Sequence, residues 1–228
     1  MKITRARAII LSLSICAAFL TSSAAATGWQ SYAITVVRLP RHSWSGFGVY
    51  LGDGKILTAQ HVVGNFLLSK PYVEIGGRTL ATTLIREGSF ADVDLAELGV
   101  EVDALPAEVR SLPPLPICPA DAVVGTRVDV VTPAQIAQSH IISANTLPPR
   151  LFSPAVIAQF PTLIGDVYST GNSGSGVFNT GAACFLGIIS RKIELTETDI
   201  VDGTPVKHVV PLAKYFVGPL VIQRFLGQ

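Results

Sequence analysis

The sequence predicts an all-β protein built as two successive β halves. Two observations carry this. Short segments rich in Val, Ile, Leu, Thr and Phe are punctuated by Gly and Pro, with no sustained 3.6-residue apolar period until the C-terminal end. A proline cluster at Pro106, Pro113, Pro114, Pro116 and Pro119 then divides the strand-like segments into an earlier and a later group.

In the first group, strands are expected at 33–39, 46–51, 55–58, 72–75, 79–86 and 94–100. The Gly52-Asp53-Gly54 triplet between two of them marks a tight hairpin, because glycine supplies the positive φ that such turns demand. The prolines that follow lack amide donors and fix φ, so 105–119 reads as a semi-rigid, extended linker rather than a ladder strand. Strands resume at 126–131, 136–143, 176–178, 184–190 and 207–211. The tail changes character: Leu212, Tyr215, Phe216, Leu220, Ile222 and Phe225 approximate an amphipathic helix, centred on Pro219–Leu226 with proline in its first turn.

The N-terminus reads as an export signal. Lys2, Arg5 and Arg7 precede the uncharged apolar run 8–20, and the small residues 22–26 follow, with Ala24 and Ala26 in an A-x-A arrangement that places cleavage near Ala26. The run is shorter than the roughly 20 residues that cross a bilayer, so no stable membrane association is expected after cleavage. No Arg pair adjoins the run, which favours export of the unfolded chain. The destination is the periplasm or the medium.

Composition narrows the function classes. Of 228 residues 49% are hydrophobic and 14% charged, which excludes a disordered chain. Loss of residues 1–26 removes Lys2, Arg5 and Arg7 from 17 basic residues and none of the 16 acidic ones, so net charge moves from +1 to -2. That balance implies no nucleic-acid partner. Cleavage also removes Cys16 and leaves Cys118 and Cys184 in a compartment where disulfides persist. One bridge or two buried thiols both fit. Metal ligation does not, since two Cys without nearby His fall short of a structural zinc set, and no cofactor is implied.

Three segments carry chemistry: Leu57-Thr58-Ala59-Gln60-His61, Asp94-Leu95-Ala96-Glu97-Leu98 and Gly171-Asn172-Ser173-Gly174-Ser175-Gly176. A serine hydroxyl is a weak nucleophile near neutral pH and needs a base, a task suited to a neutral imidazole. His42, His140 and His208 compete for that role, but His61 alone has the Thr-Ala-x-His setting. The base in turn needs a carboxylate that fixes its tautomer. Asp94 is the candidate; Asp92 shares its side of an extended strand, while Glu97 faces the opposite side and reads as solvated. Ser173 lies in a glycine-rich turn that permits an exposed hydroxyl and convergent backbone amides. The order His, Asp, Ser differs from the Ser, acid, His order of α/β-hydrolases, and Ser175 breaks their G-x-S-x-G pattern.

Together these segments resemble the trypsin-like, chymotrypsin-fold serine peptidases, especially bacterial members related to the HtrA/DegP group. The stretch 46–59 looks like that family's hairpin leading to the catalytic His, and the Asp-Leu-Ala-x-Leu pattern begins at Asp94, leaving Asp92 as a loop charge. The resemblance implies two six-stranded antiparallel β-barrels followed by a C-terminal α-helix. It divides the chain into a signal peptide at 1–26, a first barrel at 27–104, a linker at 105–119, a second barrel at 120–211 and a helix at 212–228. It implies a serine endopeptidase with His61 as base, Asp94 as its orienting partner and Ser173 as nucleophile. The Gly171 and Ser173 amides would form the oxyanion hole, where one lost donor costs roughly 3 to 4 kcal/mol. Protein or peptide is then the substrate.

By the same resemblance, Val167 lies at the base of the primary specificity pocket, where an apolar group offers no counter-charge to Lys or Arg. Ser190, Arg191 and Lys192 match the strand that pairs with substrate backbone, and the two basic residues fit either acidic substrate groups or plain solvation. Three departures stand out: Gln60 replaces a small residue, Ser175 replaces a Gly, and Asn172 replaces the Asp that pairs with a freed amine in zymogen-activated members. No second activating cut is therefore expected. HtrA relatives often carry a following PDZ module, which is not expected here. The rivals are a catalytically silent or latent protease-like binding protein, and an esterase using the same residues.

Overall fold

The computed structural model describes residues 28–38, 45–147, 161–165, 173–201 and 204–228. The signal-like segment, Val167, Gly171 and Asn172 lie outside the described residues.

The first half contains β1 (Ala33–Val37), β2 (Ser45–Gly52), β3 (Lys55–Thr58), β4 (Tyr72–Ile75), β5 (Arg78–Ala81), β6 (Thr83–Glu87) and β7 (Ala96–Gly99). They form one antiparallel sheet in the order β5-β4-β1-β2-β3-β7-β6. Its two end strands are consecutive in the chain, separated by Thr82 alone. The expected strand 79–86 is thus a bent strand that pairs with β4 by one part and with β7 by the other, drawing the sheet ends together into a barrel-like half. Alternation does the rest: Ile34 and Val36 of β1 turn inward with Val49, Leu57, Val73 and Leu98. The β2–β3 turn has Asp53 at φ 50 and Gly54 at φ 72, the paired positive values of a type I′ hairpin.

The second half is a closed barrel of β8 (Arg127–Val131), β9 (Ile136–Ile142), β10 (Leu163–Gly165), β11 (Gly176–Asn179), β12 (Cys184–Val201) and β13 (Thr204–Val217), in the order β10-β13-β12-β11-β8-β9. Val128, Val130, Ile164, Val177, Leu186 and Phe216 fill it. Val131, Phe178, Phe185, Ile188 and Val217 belong instead to the first half's core cluster and join the two halves. This is the chymotrypsin-like arrangement.

Several expectations need correction. The segment 105–119 is not extended throughout, because Pro106 leads into a short helix, Ala107–Arg110. Residues 212–217, read as helical, complete β13 and pair with β12 and β10. Register shifts in the β12–β13 ladder interrupt the two-residue alternation, so the apolar spacing there mimics a helix. The terminal helix itself spans Pro219–Leu226, buries Pro219 and Ile222, and ends at Gly227 in a left-handed conformation. Arg86 of β6 donates a hydrogen bond to the Phe225 carbonyl, which docks this helix on the first half.

Cys118 and Cys184 form a disulfide, with Cα atoms 5.1 Å apart and a sequence separation of 66. Of the two readings left open by sequence, the bridge is the one present. Closing a loop of that length contributes roughly 4 kcal/mol in the chain-entropy account. Backbone bonds from Cys118 N–H to Phe185 O (2.9 Å) and Phe185 N–H to Pro116 O (2.8 Å) fix the proline-rich segment along the start of β12.

Candidate active site

His61 lies in a short helix, Gln60–Val63, that begins two residues after β3 ends. Ala59 and Val62, close to it in the chain, are buried and anchor this short helix. Asp94 occupies the loop before β7 and is only 3% exposed. The two residues meet by two contacts: the His61 N–H donates to Asp94 Oδ1 at 3.0 Å, and His61 Nδ1 lies 2.7 Å from Asp94 Oδ2. An ionised carboxylate only accepts, so Nδ1 carries the proton and the lone pair falls on Nε2. The buried Ser190 hydroxyl donates to the same Oδ2. Burial alone would push the Asp94 carboxyl up, but bonds from His61 and Ser190 outweigh it and hold the group below its ordinary value.

The turn carrying Ser173 is fastened from both halves. Phe47 of β2 donates its N–H to the Ser173 carbonyl at 2.8 Å, and Gly174 donates to Ile189 O of β12 at 2.8 Å. Thr58 donates its hydroxyl to Phe47 O at 2.5 Å, tying β3 to the same spot. Two glycines make this approach possible. A Cβ on Gly46 would lie 2.7 Å from the Val62 methyls and 3.0 Å from Ser173 O, so β2 fits between the His61 helix and the serine turn. Gly174 has φ +85, and a Cβ there would fall 1.8 Å from Phe47 O. Ser173 is therefore held by backbone against the strand that borders the His61 helix.

Other sequence candidates are placed as follows. Asp92 is exposed, and its backbone N–H donates to Ser89 Oγ at 3.2 Å. Glu97 is buried, not solvated, and lies 3.8 Å from Arg86, because β7 is covered on both faces. His140 is exposed on β9, and His208 lies 3.4 Å from Asp199 at the periphery. Arg191 places its guanidinium 4.0 Å from the centre of the Phe90 ring and donates to the Phe90 carbonyl, while Lys192 pairs with Glu194. Both basic groups thus already have protein partners.

Sequence reasoning missed two features. Ser190 was assigned only to substrate pairing, yet its hydroxyl supports Asp94. Phe90, four residues before Asp94, presents its ring 5.3 Å from the His61 ring in an edge contact and walls one side of the site. The signal available was an aromatic residue in the loop that also carries Asp94.

Among the described residues no group of three or more His, Cys, Asp and Glu could hold a metal ion, and no helix is long and apolar enough to cross a membrane.

The two β halves, with His61 and Asp94 on the first and the serine turn on the second, define the trypsin-like class of peptidase architecture. The chain belongs to the trypsin-like peptidase domain family, whose profile matches residues 46–188, well over half of it. Solved structures with the same fold include the active form of the Rv3671c protease from M. tuberculosis, at 16% identity and TM-score 0.59, covering 100% of this chain and 92% of that one. Kallikrein-related peptidase 10 in complex with Zn2+ matches at 14% identity and TM-score 0.61, with 88% and 95% coverage. A serine endoprotease from Yersinia pestis matches at 19% identity and TM-score 0.57, covering 89% of this chain but 64% of that longer one. No curated protein sequence matches the chain.

Proposed function

We propose that the chain is an exported serine endopeptidase that works through a Ser173, His61 and Asp94 triad and an acyl-enzyme intermediate. The observation that carries this reading is the doubly bonded His61–Asp94 pair, which fixes the imidazole tautomer beside a serine turn bolted to the neighbouring strand. Ser173 Oγ attacks the scissile carbonyl while His61 Nε2 takes its proton. The imidazolium then gives that proton to the leaving amine as the C–N bond breaks. Water, deprotonated by the same nitrogen, releases the acyl group and restores the serine. The Gly171 and Ser173 amides serve as oxyanion donors, and Val167 shapes an uncharged primary pocket; Gly171 and Val167 lie outside the described residues. The substrate backbone adds to β12 at Ser190, Arg191 and Lys192. Removal of residues 1–26 delivers the enzyme to the periplasm or the medium.

Ser173→Ala tests this reading. Peptide hydrolysis is expected to fall by about 10^4-fold or more while the circular dichroism spectrum and melting temperature stay close to the parent's. Cleavage at the parent rate would overturn the mechanism, and absence of hydrolysis from both proteins would favour the latent binding protein.

A further inference from the structure

β12 and β13 run far beyond the barrel. β11 covers β12 only as far as Ile188, and β10 covers β13 only at residues 213–215. From Glu194 paired with Pro211 to Val201 paired with Thr204, the two strands form a ribbon whose residues are exposed or half-buried. Its surface is apolar for a free hairpin, with Ile200 69% and Val209 55% exposed beside Val201, Val206 and Val210. Two-stranded ribbons are marginal in water, and an open edge invites pairing.

The two edges of this ribbon are not alike. Pro211 opposes Glu194, and Pro205 opposes Ile200. A proline has no N–H to give a ladder, so in an intact pair its nitrogen faces away from the partner strand. The outer edge of β13 is thereby blocked twice. In an antiparallel ladder both residues of such a pair turn their backbone groups outward, and the pattern repeats every second residue. Glu194, Thr196, Thr198 and Ile200 therefore direct backbone N–H and C=O away from β13. None is proline, and among the described residues no strand pairs with this edge.

We propose that the edge 194–201 is an extended substrate site for a β-strand-forming polypeptide segment lying N-terminal to the cleaved bond. The inference rests on the reading of Ser190, Arg191 and Lys192 as the substrate-pairing strand, since 194–201 continues that same strand. The direction follows from antiparallel addition, the mode of β12's pairs with β11 and β13. β12 runs outward from Ser190, which bonds Asp94, so a strand added antiparallel runs inward and brings its C-terminal end to Ser173. Side chains of that segment meet Leu195, Val206 and Val210 on one face and Val209 and Ile200 on the other, which selects apolar and β-branched residues. Glu197 lies opposite His208, which also sits 3.4 Å from Asp199.

The test measures peptide binding to the Ser173→Ala protein by fluorescence anisotropy, comparing apolar, β-branched peptides with about four and about twelve residues before the scissile position. The longer peptide is expected to bind at least about tenfold more tightly. Thr196→Pro combined with Thr198→Pro removes two outward donors without touching the bonds to β13, and should cut the advantage to under about threefold while leaving the short peptide's affinity unchanged. A second variant, with 196–209 replaced by Asn-Gly to close the ribbon at the Leu195 and Val210 pair, should do the same. No advantage of length, or an advantage that survives in both variants, overturns the proposal. So does a wild-type dimer in sedimentation that disperses in the double proline variant, which would give the edge to a second copy of the chain. Fluorophosphonate labelling of the wild-type protein separates the two readings. An adduct at Ser173 without a length effect retains the peptidase and removes the arm; a length effect without an adduct retains a peptide-binding edge and removes the peptidase.

Discussion

Asp94→Asn is expected to lower kcat/KM for peptide hydrolysis by about 10^4-fold at neutral pH, the order by which a wrong histidine tautomer slows a triad. Asp94 accepts three bonds: from the His61 N–H at Oδ1, and from His61 Nδ1 and the Ser190 hydroxyl at Oδ2. An amide offers one accepting oxygen and one donating nitrogen. With the oxygen kept toward the His61 backbone, the nitrogen faces Nδ1, which must then accept; the ring proton moves to Nε2 and the base is lost. Stability follows with a definite sign. The Asp94 carboxyl titrates below its unfolded value, so its contribution is full above about pH 4 and is lost as pH falls through the folded value. The melting temperatures of parent and Asp94→Asn proteins should therefore converge as pH drops below about 4, and a gap that widens on acidification would contradict the assignment.

Gly174→Ala should be nearly as damaging for a different reason. A left-handed backbone costs an alanine roughly 1 to 2 kcal/mol, and the new methyl would have to displace the Phe47 carbonyl from 1.8 Å. That carbonyl belongs to the strand holding both the Ser173 oxygen and the Thr58 hydroxyl. The turn cannot stay in place, and a displacement of about 1 Å at a nucleophile is enough for a 10^2-fold loss of rate. Hydrolysis is expected to fall by at least that factor, with a lower melting temperature. Gly181→Ala provides the contrast, because a Cβ there meets only Asn179 Oδ1 at 3.6 Å, and it should leave both measurements close to the parent's. Equal effects of the two changes would mean that the serine turn is not confined as described.

What the sequence conveys here is local. The Gly52-Asp53-Gly54 turn, the buried alternation of β1 and the Pro219 start of the terminal helix are each decided by neighbouring residues, and the expected elements match the observed ones there. The three motif segments could be found because each carries its own pattern. Long-range geometry left weaker traces. Nothing near Thr82 announces that one strand bends to serve both ends of a sheet, since closure is a property of the partners β4 and β7. Glu97 looks solvated from its chemistry and is buried because both faces of β7 are covered. The Ser190 bond to Asp94 spans 96 positions, and the Phe90 wall depends on where its loop folds over His61. Of the ribbon, the sequence marks only 207–211 as a strand; 194–201 and 204–206 escape because neither face is buried, which removes the alternation that marks a strand.

The central claim is that the His61–Asp94 pair activates Ser173. Its most direct test is fluorophosphonate treatment of the purified wild-type protein, read by intact mass and by peptide mapping, beside Ser173→Ala and His61→Ala. A single adduct on Ser173 in the wild type, with none in either variant, is the predicted result. An adduct on another residue, undiminished labelling in His61→Ala, or no adduct in a folded wild-type protein would contradict it.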